Sequence, residues 1–535
     1  MPGQIATLPL GFPTSGLNEN FSFTGQPENT APDLRNVRAH EMTSGRARGG
    51  QRPGISKYLD EQHSGSSNIQ CISHIITGKA WSAVTSMGAR TFTNVAVSGG
   101  NVKTFTSGVG STYAIPGDGT GALSADAPVI HSTRHYNDIY FADGDDSVSL
   151  KYYEESTNTV TPMEADPPVG SGPEQGGALP GVACRLVVTY RNRLVWSGDN
   201  TDPHNFFASA VGAPLDYAYS PATVTETQAF VGNSGNAATI PDKINSLVPF
   251  GDDRLIFLCD HSIHQMTGDI AAGGRIDEVS DSAMGGAFGR PWCKTPNGAL
   301  VFFGSKGGVY WMAPNQTPVS MTSGVIEERF RSVNLDENIV RMEWDDRQQG
   351  IYVFITKLDA SASTNYFYDM RNHAWYPDVF ATSAHNPVTT HVFDGDAPGD
   401  RAILLGGQDG YIRKVDMDAK SDDGVAISSY VYFGPISVGP GQSALLTELQ
   451  ATIANGSSDV TFELFSGASP EEAFNETIPW FSGTWAEDKN PAFRQRCHAN
   501  AMWLKISNST VGESWEMESI IARVREIGRT VQRTV

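Results

Sequence analysis

Short runs of β-branched and aromatic residues, many closed by a glycine or Asp-Gly turn, recur along the chain from about residue 70 to 425. The clearest occupy segments 91–97, 139–142, 193–196, 254–258, 299–303, 350–354 and 403–405, with Ile139-Tyr140-Phe141-Ala142 before Asp143-Gly144 as a typical case. Such runs predict strands joined by hairpins. Their centres lie roughly 45–60 residues apart, the length of one four-stranded propeller blade with its loops. Long helical patterns are nearly absent, which argues against a parallel α/β sheet. A toroid of antiparallel sheets explains both observations, because radial packing covers each sheet face without a helical layer. The predicted class is all-β with a β-propeller core; a β-sandwich or a string of separate β-modules is the competing description.

The pattern divides the chain into three parts. Residues 1–69 read as an N-terminal arm with a basic docking segment, 70–425 as a β-propeller with loop insertions, and 426–535 as a C-terminal β-sandwich-like platform module. The first 34 residues are rich in Pro, Gly, Asn, Ser and Thr without periodicity, which predicts an extended arm, and such arms usually lie on a neighbour. In the last part, Ser429 to Phe433, Thr461 to Phe465 and Ala501 to Ile506 read as strands. Ser469-Pro470 predicts the N-cap and first residue of a short helix.

Charge adds a second pattern. Lys and Arg number 38 against 59 Asp and Glu, a formal charge of −21. That balance argues against wrapping nucleic acid through a general basic surface. Against it stand two basic strips: Arg35, Arg38, Arg46, Arg48, Arg52 and Lys57 near the start, and Arg523, Arg525, Arg529 and Arg533 at the end. Each reads either as a solvated turn or as a docking strip, since guanidinium forks suit interface carboxylates. The interface expectation covers Arg35, Arg38, Arg46, Arg48, Arg52, Arg523, Arg525 and Arg529.

Candidate chemistry is sparse. Five cysteines, Cys71, Cys184, Cys259, Cys293 and Cys497, are widely spaced without a CxxC pair and read as reduced thiols. No stretch approaches 18 apolar residues, and the first thirty residues lack a signal-peptide pattern, so neither export nor membrane insertion by the chain's own sequence is expected. The G-x-S-x-G, P-loop and H-E-x-x-H motifs are missing. His261 and His264 sit at an odd offset in a strand-like context, which points them to opposite faces and defeats joint metal ligation. Acidic clusters at 143–146, 252–253, 345–346 and 394–400 fall at predicted turns, where Asp accepts backbone N–H bonds; cation binding and acid–base catalysis are the alternatives. Trp196, Trp292, Trp311, Trp344, Trp375, Trp485, Trp503 and Trp515 read as core residues before a sugar platform. No catalytic residue, cofactor site or metal site is assigned.

Several ordered blocks resemble the tail nozzle, or tail hub, proteins of short-tailed bacteriophages. They begin with Arg35-Asn36-Val37-Arg38 and Gly45-Arg46-Ala47-Arg48-Gly49-Gly50-Gln51-Arg52-Pro53-Gly54. They continue through Arg191-Asn192-Arg193-Leu194-Val195-Trp196, Val211-Gly212-Ala213-Pro214-Leu215-Asp216-Tyr217 and Gly268-Asp269-Ile270-Ala271-Ala272-Gly273-Gly274. The last are Gly406-Gly407-Gln408-Asp409-Gly410-Tyr411-Ile412, Gly483-Thr484-Trp485 and Trp515-Glu516-Met517-Glu518. The resemblance covers most of residues 30–530. It implies a non-enzymatic, propeller-containing structural protein of the virion tail, made in the host bacterial cytoplasm. It further implies a homohexameric ring below the portal and adaptor that extends the DNA channel, helps retain the genome and anchors tail fibres or spikes. Double-stranded DNA would pass without specific binding, and the carboxylate surplus fits a lumen that repels phosphates at close range. The rival expectation is a β-propeller glycan-degrading tail enzyme, against which stands the missing S-x-D-x-G-x-T-W box. A WD-repeat-like scaffold is third, without the Gly-His and Trp-Asp signatures.

Overall fold

The computed structural model describes residues 5–42, 45–79, 90–106, 112–145, 150–163, 183–219, 221, 223–232, 240–279, 284–314, 316–395, 398–439 and 442–529. Seven small antiparallel sheets follow one another along the chain, at 69–105, 131–162, 186–231, 244–278, 292–320, 338–378 and 389–416, here blades 1 to 7. Blades 2 to 6 each have four strands in sequence order. Blade 1 has three, with Thr104 bridging Ala114 where a fourth would lie. Every one of the seven sequence runs forms the second strand of its blade. That position has a sheet neighbour on both sides and adjacent blades over both faces, so it tolerates the least polarity. In blade 4 the run Arg254–Cys259 is buried at every position after the first.

The wheel closes through the arm. The fourth strand of blade 7 is Gly54–Lys57, antiparallel to Ile412–Asp416, and the chain then proceeds to Ile69–Lys79, the first strand of blade 1. The last sheet is thus completed by residues from the other end of the sequence. The first strand of blade 7 packs on the first strand of blade 1, which completes the circle. The propeller assignment rests on this order and closure.

After blade 7 the chain forms two five-stranded sheets. One pairs Ser429–Ile436, Ala501–Asn508, Val460–Gly467 and Phe481–Trp485, and the other pairs Gln442–Ile453 with Met517–Arg529 and two short strands. Each takes its remaining strand from the arm: Leu34–Arg35 joins the first, and Ile5–Pro9 the second. Alternate residues of both sheets, including Val431, Phe433, Leu446, Leu449, Leu464, Leu504 and Val524, share one apolar core. The short helix Pro470–Asn475 forms as its sequence predicts, with the Ser469 side chain accepting from Glu472 N.

The same core continues into blades 5 and 6 through Phe303, Phe330, Val353 and Trp375. The arm runs through this junction on its own chain. Gly16 adopts a φ of 73° against Trp375, where an added Cβ would come 2.5 Å from the Trp375 carbonyl oxygen. Among the described residues, Trp375 is one of five fully or nearly fully buried tryptophans, with Trp196, Trp485, Trp503 and Trp515, so these act as core residues.

Candidate functional site

The first basic strip is built into the junction. Asn36, at a φ of 56°, accepts from Val379 N and Arg52 Nε through its side-chain oxygen and donates to the Val379 and Ser428 carbonyls. Arg38 grips Asp378 with both terminal nitrogens, at 2.8 and 2.6 Å, beneath the face of Phe367. Arg52 does the same to Asp422, at 2.9 and 2.6 Å. Both arginines are 2% exposed. This corrects the interface expectation for Arg38 and Arg52: they fasten the arm to blade 6 and to the turn after blade 7 inside one subunit. Their carboxylate partners stand more than 300 residues away in sequence, beyond any local pattern.

The remaining strip residues lie nearer the surface. Arg48 pairs with Glu516 and Glu518, fastening the arm to the last strand region. Arg35 is half-buried beside Tyr430, and Arg46 and Arg525 are exposed. Arg523 is exposed and pairs with Glu448 at 3.4 Å. Arg529 ends the final strand, and Arg533 lies outside the described residues. Ile5–Pro9 pairs across Arg523 and Arg525 on the final strand.

Other quoted blocks are also joints. Arg193 is fully buried, with Nε on Asp269 at 2.7 Å and its terminal nitrogens on the Ser209, Gln228 and Glu226 carbonyls. Thus Arg191-Asn192-Arg193 and Gly268-Asp269, distant in sequence, meet. Trp196 Nε1 donates to Tyr217 Oη at 2.7 Å, joining the block at 191–196 to that at 211–217. Arg413 forks onto Asp409.

Two of the acidic turns accept backbone N–H bonds, while Asp346 and Asp394 pair with Arg401 at 2.8 and 3.7 Å. Asp143 accepts from Ser124 N and Asp345 from Arg347 N, at 3.1 and 2.9 Å. Burial raises both carboxyl groups above their ordinary range. Asp146 and Asp396 lie outside the described residues. His261 stands exposed in the turn before the strand Ile263–Thr267, while His264 is buried and contacts Ser262 Oγ. Among the described residues no group of three metal-ligating side chains converges. All five cysteines are buried free thiols, and burial pushes Cys71 up to about 11 and the others upward, which disfavours thiolate chemistry.

A cavity of about 900 Å³ opens where the first strands begin. Pro128, Phe288, Leu335 and Ile339 supply apolar wall, and Arg341 from the first strand of blade 6 reaches it from below. Around the axis, other first strands add buried polar groups. His74 of blade 1 and His391 of blade 7 share a hydrogen bond at 2.6 Å, and burial and His74 push His391 well down, keeping it neutral. Glu343 accepts from Thr390 Oγ1 and stands 3.5 Å from Arg290. Arg341 is 4% exposed. Sequence reasoning missed Arg290, Arg341 and Glu343 because alternation with Val340 and Met342 reads as an outward polar face. In a propeller both faces of the strand are covered.

No known family profile matches the chain, and no curated protein matches it. Among solved structures it is similar to the extracellular domain of a two-component system protein from B. thetaiotaomicron. The identity is 10% and the TM-score 0.42, covering 91% of this chain and 58% of that one. The chain therefore spans under two thirds of that domain's length. It is also similar to virginiamycin B lyase from Staphylococcus aureus with quinupristin, at 10% identity and a TM-score of 0.36, covering 64% of this chain and 99% of that one. A third is YCF48 bound to a D1 peptide, at 13% identity and a TM-score of 0.37, covering 68% and 97%.

Proposed function

We propose that this chain is a structural, ring-forming subunit of a bacteriophage tail of the nozzle type. In this role it extends a DNA conduit below the portal and adaptor and gives fibres or spikes a platform. The observation that carries the reading is the use of the sequence blocks that resemble that family: Asn36, Arg38, Arg52, Arg193, Asp269 and Asp409 all form internal joints. Buried guanidinium–carboxylate forks hold elements in fixed register and supply no nucleophile, which suits a subunit that transmits load.

The conduit belongs between subunits, because side chains of Arg341, Glu343 and His391 converge near the axis of each wheel. A ring uses heterologous contacts, one patch against a different patch on the next copy. The exposed Arg46 and Arg525 are available for such contacts in a chain whose formal net charge is −21. The carboxylate surplus supports a lumen that lets DNA slide.

Native mass spectrometry and particle imaging test the proposal. The expected result is a closed ring at six times the 57.6 kDa chain mass with a central pore. A monomer at all concentrations, with and without the adaptor, overturns it. Release of oligosaccharide from host polysaccharide by the purified protein would favour the glycan-degrading alternative.

A further inference from the structure

We infer that the cavity at the axial mouth of the propeller binds a saccharide bearing a carboxylate, with the acid group on Arg341 and the ring against Phe288. This inference does not rest on the ring reading.

The first support is an unsatisfied cation. Arg341 is 4% exposed and lines the cavity, yet its only described hydrogen bond runs from Nε to the Val388 carbonyl at 3.2 Å. Among the described residues it makes no ion pair. Its charged neighbours are Arg290, which repels it, and Glu343, which is already shared with Arg290 and Thr390. Burial and Arg290 together pull Arg341 down to about 10. A buried guanidinium without a counter-charge is costly to keep, and an incoming carboxylate removes that cost through a forked pair.

The second support is the wall above it. Phe288 is 42% exposed at the cavity and meets the His131 ring edge-to-face at 5.6 Å, leaving aromatic surface of the kind that packs against the C–H face of a sugar ring. Pro128, Leu335 and Ile339 continue the apolar side. The lining is mixed: Asp126, Asp143, Asp145, Asp199 and Asp336 offer acceptors for hydroxyl groups, and Arg185 and Lys243 are exposed donors. Apolar walls with a few convergent polar groups define a small-molecule site, and about 900 Å³ holds one or two sugar units.

Isothermal titration with glucuronate tests the inference, with glucose as the neutral probe and inorganic phosphate as the anion without a ring. Glucuronate is expected to bind, glucose to bind at least about tenfold more weakly, and phosphate likewise, since each lacks one of the two recognised features. Arg341→Met should weaken glucuronate at least about thirtyfold while leaving the thermal midpoint equal or higher, because it removes a buried unpaired charge. Phe288→Ala changes an exposed residue and should weaken binding severalfold without unfolding. Lack of glucuronate binding overturns the inference, as does binding that survives both substitutions. Phosphate binding as tight as glucuronate would reduce the site to a bare oxyanion pocket and overturn the saccharide assignment. Failure of ring assembly leaves all of these titrations unaffected.

Discussion

Breaking the Arg52–Asp422 joint from either side should cost different amounts, and the difference follows from what remains after each cut. In Asp422→Ala the guanidinium keeps its bonds from Nε to Asn36 Oδ1 and from one terminal nitrogen to the Pro53 carbonyl, with Asp378 Oδ1 at 3.8 Å from Nε. Losing one partner of a buried pair costs about 3–5 kcal/mol, and residual compensation by Asp378 places this variant near the lower end. In Arg52→Met the surviving Asp422 carboxylate is fully buried and loses both of its 2.6 and 2.9 Å guanidinium bonds. That variant belongs at the upper end. The double variant Arg52→Met with Asp422→Leu leaves no stranded charge and should return to within about 1 kcal/mol of the parent. Urea denaturation followed by tryptophan fluorescence measures all three at a common m value. A double variant whose loss equals the sum of the singles, or Asp422→Ala costing more than Arg52→Met, would refute the assignment of this joint as a desolvated pair.

Further outcomes follow from other joints. His63 is buried, with Nε2 donating to the Ala96 carbonyl, and burial pushes it down to about 4 from an ordinary value of 6.5. The unfolded chain therefore binds the proton first, so this contribution to stability is present above about pH 6.5 and declines as pH falls toward 4. The loss is of order 3 kcal/mol, and His63→Gln should flatten that part of the stability–pH curve. Asp409 behaves as a carboxylate of opposite origin: burial pushes it up, but the Arg413 fork outweighs burial and holds it below its usual range. Its stabilisation is present above the ordinary carboxylate pKa and is lost as pH falls below it, so the gap between the parent and Asp409→Asn should close in acid. Arg193→Lys keeps the charge yet loses the Nε bond to Asp269 together with the guanidinium contacts to the Ser209, Thr227, Gln228 and Glu226 carbonyls, and a drop of about 2–4 kcal/mol in denaturant stability is expected. A thiol reagent such as Ellman's should titrate none of the five cysteines in the native protein and all five in denaturant; rapid labelling of the native chain would contradict their burial.

The blade pattern was readable because it is local. A second strand covered on every side must be apolar and β-branched or aromatic over four or five consecutive residues, and a tight turn must follow, so each blade left a short signature. The helix at Pro470 was readable for the same reason, from a cap and its neighbour. The fate of Arg38 and Arg52 was not, because a run of arginines near glycines looks the same whether its carboxylates come from a partner or from Asp378 and Asp422 of the same chain. Arg341 was hidden by the rule that an alternating strand has one wet face. That rule fails when sheets stand side by side around an axis.

The amino-acid order alone therefore determined an all-β chain with short β runs recurring at blade-length spacing, a separate β-rich end and two basic strips in an acidic whole. Tertiary structure alone decided that Gly54–Lys57 closes the wheel, that the arm binds its own subunit, and that a cation sits unpaired beneath a cavity. The physical reason is range. Strand and turn preferences act over a few residues, whereas closure, charge pairing and cavity shape depend on which distant segments share the same volume, as Arg38 and Asp378 do across 340 positions.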